Sequence, residues 1–186
     1  MTFTVVTAAI STLIAVYSII PYISEVLKGH TRPHQLSWLV FVIMNGIVFF
    51  SQYFEGGRGS ILIALAFFVG SLLVLALSFK YGTRDTSRWD TLLFIFALLT
   101  IVVWYFTKSN SLAIWLTLLI DVAATSMIIL KLQTQPRSES AKPWIVASCA
   151  YVFACLSLTG MPVGILYVRP VYGLICDLLI VAAILH

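Results

Sequence analysis

The chain has 186 residues, of which 61% are hydrophobic and 10% charged, and its mean hydropathy is +1.04. A soluble domain is closer to half apolar and a quarter charged, so composition excludes a water-soluble fold and predicts an integral membrane protein. The formal net charge is +4, but the 11 Lys and Arg residues are spread over several short loops. That spread is typical of topology signals and argues against a nucleic-acid-binding face.

Seven apolar stretches approach the roughly 20 residues that a helix needs to cross the hydrocarbon core. Short loops with turn or charge punctuation separate them, and no linker is long enough to divide soluble domains. The sequence therefore predicts an all-α, polytopic membrane protein with a single membrane domain, 1–186. Its predicted transmembrane helices are 4–27, 36–54, 60–79, 90–107, 111–131, 143–159 and 164–185.

Basic residues are divided unevenly between the two sides of these spans. Because cytoplasmic loops carry the excess of Lys and Arg, we expect the N-terminus outside and the C-terminus in the cytoplasm, in a bacterial inner membrane. The expected cytoplasmic side has eight basic residues: Lys28, Arg32, Lys80, Arg84, Arg88, Lys131, Arg137 and Lys142. The other side has three: Arg58, Lys108 and Arg169.

The two ends of the chain resemble one another. When the second span is set beside the sixth, Trp38 falls on Trp144 and Asn45 on Tyr151. The third and seventh spans match on their glycines, Gly70 and Gly173. This pattern predicts two three-helix repeats, 1–80 and 109–186, joined by a linker helix within 81–108. An odd linker gives both repeats the same orientation, so they are parallel.

Several short motifs resemble a known transporter superfamily. Pro21-Tyr22, Lys28, Thr31 and Leu36-Ser37-Trp38 resemble the PQ-loop pattern, with Tyr22 in place of the signature Gln. The three-plus-one-plus-three plan resembles the SWEET transporters and their PQ-loop relatives. In addition, Trp38-x-x-Phe41-x-x-x-Asn45 is similar to a motif of PnuC-type vitamin transporters, with Phe41 in place of a Trp.

The resemblance implies a membrane transporter that moves a small polar solute by alternating access. Two alternatives stay open: a passive facilitator for a vitamin precursor, and a non-transporting receptor, because the KDEL receptor is similar in fold. The resemblance also implies that Pro21 is a hinge, since proline interrupts the hydrogen bonding of a helix. A static kink is the alternative. Tyr17, one turn earlier, is a further candidate for the lining of the same cavity.

Two acidic residues, Asp121 and Asp177, lie near the middle of predicted spans. A carboxylate at that depth costs several kcal/mol unless it is protonated, paired or hydrated, so such residues are usually functional. No Lys or Arg is expected at comparable depth. We therefore interpret both acids as substrate-binding and candidate proton-coupling groups. Membrane-embedded acids resemble those of the PQ-loop exporters of cystine and cationic amino acids, and this resemblance implies a cationic or zwitterionic solute. The alternative is a protonated acid that bridges helices.

Aromatic and amide side chains complete the predicted substrate-binding site. Trp38 and Asn45 are seven residues apart and share a helix face, and Trp144 and Tyr151 repeat that spacing. Such a stripe can stack on a solute and hydrogen-bond to it. The alternative is an interfacial tryptophan belt with an interhelical amide bridge.

No enzyme chemistry is predicted, because the sequence contains no nucleophile–base pair, no phosphate-binding glycine loop and no intramembrane histidine. No catalytic residue, metal or cofactor is expected. The loop histidines His30 and His34 are separated by Pro33, which rules out helical ligand geometry. The expected partners are a small-molecule solute and the lipid bilayer, with no nucleic acid. A homo-oligomer is left open.

Overall fold

A computed structural model describes residues 3–54, 60–108, 110–159 and 165–186. These residues form seven α-helices, and each coincides with a predicted span to within three residues at either end. The helices are α1 (Phe3–Leu27), α2 (Gln35–Phe54), α3 (Ser60–Tyr81), α4 (Arg88–Thr107), α5 (Asn110–Thr134), α6 (Ala141–Ser157) and α7 (Ile165–Leu185).

Five of the helices contain segments long and apolar enough to cross a membrane: Phe3–Leu27, Leu62–Tyr81, Arg88–Thr107, Trp115–Thr134 and Tyr167–Leu185. The described apolar stretches of α2 and α6 are shorter, Gln35–Phe50 and Ala141–Ser157. The all-helical class and the membrane character are therefore confirmed. A full set of seven spans stays a prediction.

The helix ends follow from local sequence. Ser87 caps α4, since its hydroxyl accepts a bond from the Asp90 amide at 3.1 Å while Asp90 accepts one from the Ser87 amide at 2.7 Å. Gly29 follows α1 with φ at +77°, a backbone conformation that residues other than glycine rarely adopt. Pro21 lies inside α1, which is continuous through it. Proline therefore does not end the helix at this position, and the hinge stays a prediction.

Six helices form a closed ring in the order α1, α3, α2, α5, α7, α6, with α6 returning to α1. The seventh, α4, packs on the outside against α5 and α2. Large apolar side chains point away from the ring; Leu13 and Phe106, for example, are 70% and 76% exposed. An apolar outer surface of this kind suits a hydrocarbon solvent.

At one end of the ring, three loops meet: 28–34, 82–87 and 135–140. We call this the basic end, because it carries the eight basic residues grouped above. The Arg32 amide donates to the Ser138 carbonyl at 2.8 Å. The Thr83 amide donates to the Pro33 carbonyl at 2.9 Å. The loops are thus held to one another by backbone hydrogen bonds.

Candidate functional site: a central cavity

The ring encloses a cavity of about 100 Å³ near the middle of the helices. Tyr17 does not belong to it: its side chain is 55% exposed on the outside of α1, so the expectation for that residue is wrong. Pro21 is buried within α1 but is not part of the lining. All six predicted substrate-binding residues line the cavity: Trp38, Asn45, Asp121, Trp144, Tyr151 and Asp177.

The two acids face the cavity from α5 and α7. Asp121 and Asp177 are 5% and 8% exposed and lie close enough for their charges to repel one another. The Tyr151 hydroxyl, on α6, is also within electrostatic reach of both. All three residues line the same cavity, so α5, α6 and α7 bring polar groups to one region of the ring.

One cationic residue, Arg169, lies on α7, the same helix as Asp177. Arg169 is eight residues before Asp177, about 12 Å along the helix axis, yet its charge attracts Asp121. Arg169 therefore acts on the acids from a distance, through a long side chain that reaches beyond its own helical turn, and it does not lie at their depth. Arg169 Nη1 donates to Met44 Sδ at 3.6 Å. Among the described residues, neither acid has a cationic nitrogen within 4 Å.

Polar atoms without partners line the same cavity. Asp177 Oδ2 is buried and, within the described part of the chain, has no hydrogen-bond partner. Thr125 Oγ1 also lacks a partner of hydrogen-bond geometry, although the Cys176 thiol lies beside it. A buried polar atom left unpaired costs about 1–3 kcal/mol, so these atoms favour a polar occupant of the cavity. Cys176 is buried and is also part of the lining.

Three aromatic rings form the cavity boundary toward the basic end. The Tyr22 and Trp38 ring centroids are 4.9 Å apart, and those of Trp38 and Trp144 are 6.4 Å apart. Trp38 Nε1 donates to the Tyr22 hydroxyl at 3.1 Å. The aromatic stripe predicted from α2 and α6 is thus brought together, but α1 supplies the ring between its members.

Behind the rings lies a polar cluster that we call the closure network, made of the buried side chains of Tyr22, Lys131 and Glu139 and the backbone carbonyl of Arg32. Lys131 Nζ contacts the Glu139 carboxylate, forming an ion pair in which the two side chains are 3% and 0% exposed. It also donates to the Arg32 carbonyl at 2.8 Å. The Tyr22 hydroxyl donates to Glu139 Oε2 at 3.2 Å. The network therefore links α1 and α5 with the loops before α2 and α6.

Burial governs the charge state of this network. It raises the pKa of Glu139, which lies in the loop at the basic end. The Lys131 charge and the Tyr22 hydrogen bond act in the opposite direction but do not fully offset burial. The Trp144 indole also lowers the Glu139 pKa, although its N–H makes no hydrogen bond of standard geometry. A carboxyl group in this setting is sensitive to the loss of any one of its partners.

Sequence reasoning missed the closure network. Lys131 was interpreted as a topology signal, and Tyr22 only as a departure from a motif. Glu139 carried no signal, since an acid in a loop is ordinary until its burial is known. A charged pair eight residues apart across a helix end has no spacing rule that would have found it.

At the other side of the cavity, Tyr151 stacks on Phe67 of α3, with centroids 5.5 Å apart and planes 12° from parallel. This contact spans the ring from α6 to α3. Gly173 permits it, because a Cβ there would lie 2.5 Å from the Tyr151 ring. The matched glycine, Gly70, likewise gives room to Ile19.

The two loop histidines make separate contacts. His34 is buried, with Nδ1 2.7 Å from the Ser37 hydroxyl and Nε2 3.2 Å from the Asp85 carbonyl oxygen. Burial lowers the His34 pKa, which favours the neutral ring. His30 instead lies 3.2 Å from the Glu25 carboxylate. No group of three potential metal ligands occurs among the described residues.

Comparison of the chain with protein-family models, curated proteins and solved structures finds no match.

Proposed function

We propose that this protein is a seven-span membrane transporter that carries a small polar solute with a positive charge by alternating access. The observation that carries the proposal is the pair of buried carboxyl groups, Asp121 and Asp177, facing one cavity without a close cationic partner. When both are ionised, Arg169 offsets only part of their charge. A cationic group on a solute, or a proton, would supply the remainder.

The helix contacts support a duplicated architecture. If α1, α2 and α3 are exchanged with α5, α6 and α7, the contact of α1 with α3 becomes that of α5 with α7. The contact of α2 with α3 becomes that of α6 with α7, and α1 with α6 becomes α5 with α2. Every one of these contacts is present. Two parallel repeats with α4 as the linker are the simplest account, as the resemblance to PQ-loop and SWEET transporters implies.

Alternating access requires that the cavity be closed at one end while it opens at the other. The aromatic rings and the closure network lie between the cavity and the basic end, so we propose that they form the cytoplasmic gate in its closed state. Pro21 is adjacent to Tyr22 in the sequence, which places the proposed hinge next to the gate. Opening would then separate Tyr22 from Glu139.

The proposal is tested by a thermal-shift screen of the purified protein at pH 5.5 and 7.5. The panel contains cationic amino acids, polyamines, cationic vitamin precursors, neutral amino acids and sugars. A ligand that binds the folded state raises its melting temperature whatever the mechanism. We expect hits among the amine-bearing or otherwise cationic compounds, lost in Asp177→Asn and kept in Asp85→Asn, since Asp85 is exposed at the basic end. Hits confined to sugars would contradict the proposal.

Uptake of a hit into proteoliposomes then distinguishes the mechanisms. Uptake that depends on ΔpH in the native protein but not in Asp121→Asn would support proton coupling. Uptake that does not depend on ΔpH would favour the passive facilitator. Saturable binding without any translocation would favour the receptor alternative.

A further inference from the structure

A second concavity lies at the basic end, outside the central cavity, and we call it the basic groove. Its volume is about 310 Å³. The loop after α1 lines one wall with Gly29, His30 and Arg32, and the loop after α5 lines the other with Gln135, Arg137 and Ser138.

The charges around the groove are mostly positive. Arg32 and Arg137 are both exposed, and among the described residues neither guanidinium has a carboxylate within 4 Å. Two acids are near the rim: Glu25 pairs with His30, and Asp85 accepts a hydrogen bond from Gln135 Nε2 at 2.7 Å. Each acid is thus engaged by a residue of the groove lining other than the two arginines, whose charges have no ion-pair partner among the described residues.

One wall of the groove contains an unsatisfied polar atom. Ser138 is only 8% exposed, and its hydroxyl has no hydrogen-bond partner within the described residues. This hydroxyl belongs to the same loop as Arg137, and a serine hydroxyl can donate a hydrogen bond to an anionic oxygen.

The two arginines are held on a rigid frame. The Arg32 amide donates to the Ser138 carbonyl at 2.8 Å, and the Arg32 carbonyl accepts from Lys131 Nζ at 2.8 Å. Arg137 adopts a φ of +65°, in a tight turn that also contains the bond from the Ser138 amide to the Gln135 carbonyl. The positions of both backbones are therefore set before any ligand binds.

The depth of the groove matches a headgroup layer. The span-length helices α1 and α5 end at Leu27 and Thr134, and the groove residues follow within a few positions. If these helices cross the hydrocarbon core, the groove lies where lipid phosphates are found. Basic pockets between helices at this level are typical binding sites for anionic headgroups.

We propose that the basic groove binds a phosphate group through Arg32, Arg137 and the Ser138 hydroxyl, and that an anionic phospholipid supplies it. Guanidinium groups recognise phosphate oxygens by paired hydrogen bonds, which an ammonium group cannot reproduce. Since the two arginines belong to the loops tied by the closure network, a bridging phosphate strengthens the contact between those loops. This inference concerns binding alone and does not depend on transport.

The test measures thermal unfolding of the purified chain in neutral detergent at constant ionic strength. The additives are phosphatidylglycerol, phosphatidylcholine and inorganic phosphate, with chloride as the ionic control. We expect phosphatidylglycerol to raise the melting temperature saturably by several degrees. In Arg32→Gln and Arg137→Gln, the phospholipid concentration at half of the maximal shift should be at least tenfold higher. Arg84→Gln, an exposed arginine at the same end but outside the groove, should leave that concentration unchanged.

A charge-preserving pair keeps the test decisive if the glutamine variants do not fold. In Arg32→Lys/Arg137→Lys both charges remain, but the paired hydrogen bonds of the planar guanidinium groups are lost. The phospholipid concentration at half of the maximal shift should therefore still rise. An equal saturable shift with inorganic phosphate, lost in the same variants, would assign the site to a soluble phosphate compound. A shift of equal size with phosphatidylcholine, or one retained in the arginine variants, would overturn the proposal.

Discussion

The closure network predicts a specific energetic consequence of replacing Lys131 by methionine. The change keeps an unbranched side chain one atom shorter and removes the cation that faces the buried Glu139 carboxylate. Removing one partner of a buried ion pair costs about 3–5 kcal/mol, because the other charge is left uncompensated. Glu139 can limit that loss by taking up a proton.

Protonation of Glu139 limits the stability that Lys131→Met can lose. Protonating a carboxyl group of ordinary pKa about 4.3 at pH 7 costs about 3.7 kcal/mol, at about 1.36 kcal/mol per pH unit. The loss in Lys131→Met should therefore not exceed about 3.7 kcal/mol at pH 7 and about 1.6 kcal/mol at pH 5.5. For a chain of this length those losses lower the melting temperature by about 7–15 °C and about 3–6 °C.

The direction of the pH dependence follows from the pKa of Glu139. Burial already raises that pKa, and loss of Lys131 raises it further. Between the unfolded pKa and the raised folded pKa, the folded variant binds more protons than the unfolded chain. Its stability therefore falls as pH rises through that window.

Thermal unfolding of purified protein from pH 5 to pH 8 measures this prediction. Lys142→Met is the matched control, since Lys142 is exposed at the same end of the ring. The double variant Lys131→Met/Glu139→Leu should recover most of the loss, because no buried charge remains. A loss that does not change with pH, or that Lys142→Met shares, would refute the reasoning.

Three further changes test other contacts by thermal unfolding. Gly82→Ala should destabilise by about 1–3 kcal/mol, because a Cβ would lie 2.5 Å from the Pro33 carbonyl oxygen; an unchanged melting temperature would contradict this close approach. Ser11→Ala should cost about 1 kcal/mol, since the hydroxyl donates to the Ala150 carbonyl at 2.8 Å between α1 and α6; Ser157→Ala, whose bond stays within its own helix, is the control. Protonation of His34 should cost the native protein at most about 1.4 kcal/mol of folding stability between pH 7.5 and 5.5, and His34→Gln should remove that loss. Burial lowers the His34 pKa, so its stabilisation is present above the unfolded pKa and lost on acidification. A native protein without that acid-dependent loss would contradict the assignment.

The helices were predictable because apolar length is a direct physical requirement of the bilayer. Four of the predicted cavity residues, Asn45, Asp121, Tyr151 and Asp177, stand out for a related reason: a carboxyl, amide or phenol in the middle of an apolar helix is costly and is therefore usually functional. Asp121 and Asp177 stand out for this reason from the sequence alone.

The order of the helices around the ring was not predictable in the same way. Helices that are apolar on every face, such as α4, give no signal for the neighbour they contact. Arg169 shows a second limit, since its position in the sequence does not reveal that its side chain contacts Met44 of α2 at 3.6 Å. Glu139 shows a third, because burial of a loop residue depends on three segments that meet only in the folded chain.

Access to the cavity from both ends is the central claim, and a native thiol in its lining can measure it. Cys176 lines the cavity, whereas Cys149 and Cys155 can be replaced by alanine. A small cationic, membrane-impermeant methanethiosulfonate is applied to membrane vesicles of each orientation. We predict that Cys176 reacts from both sides, and that Glu139→Gln accelerates its reaction from the basic end. Reaction from one side only, in the native protein and in Glu139→Gln alike, would contradict alternating access.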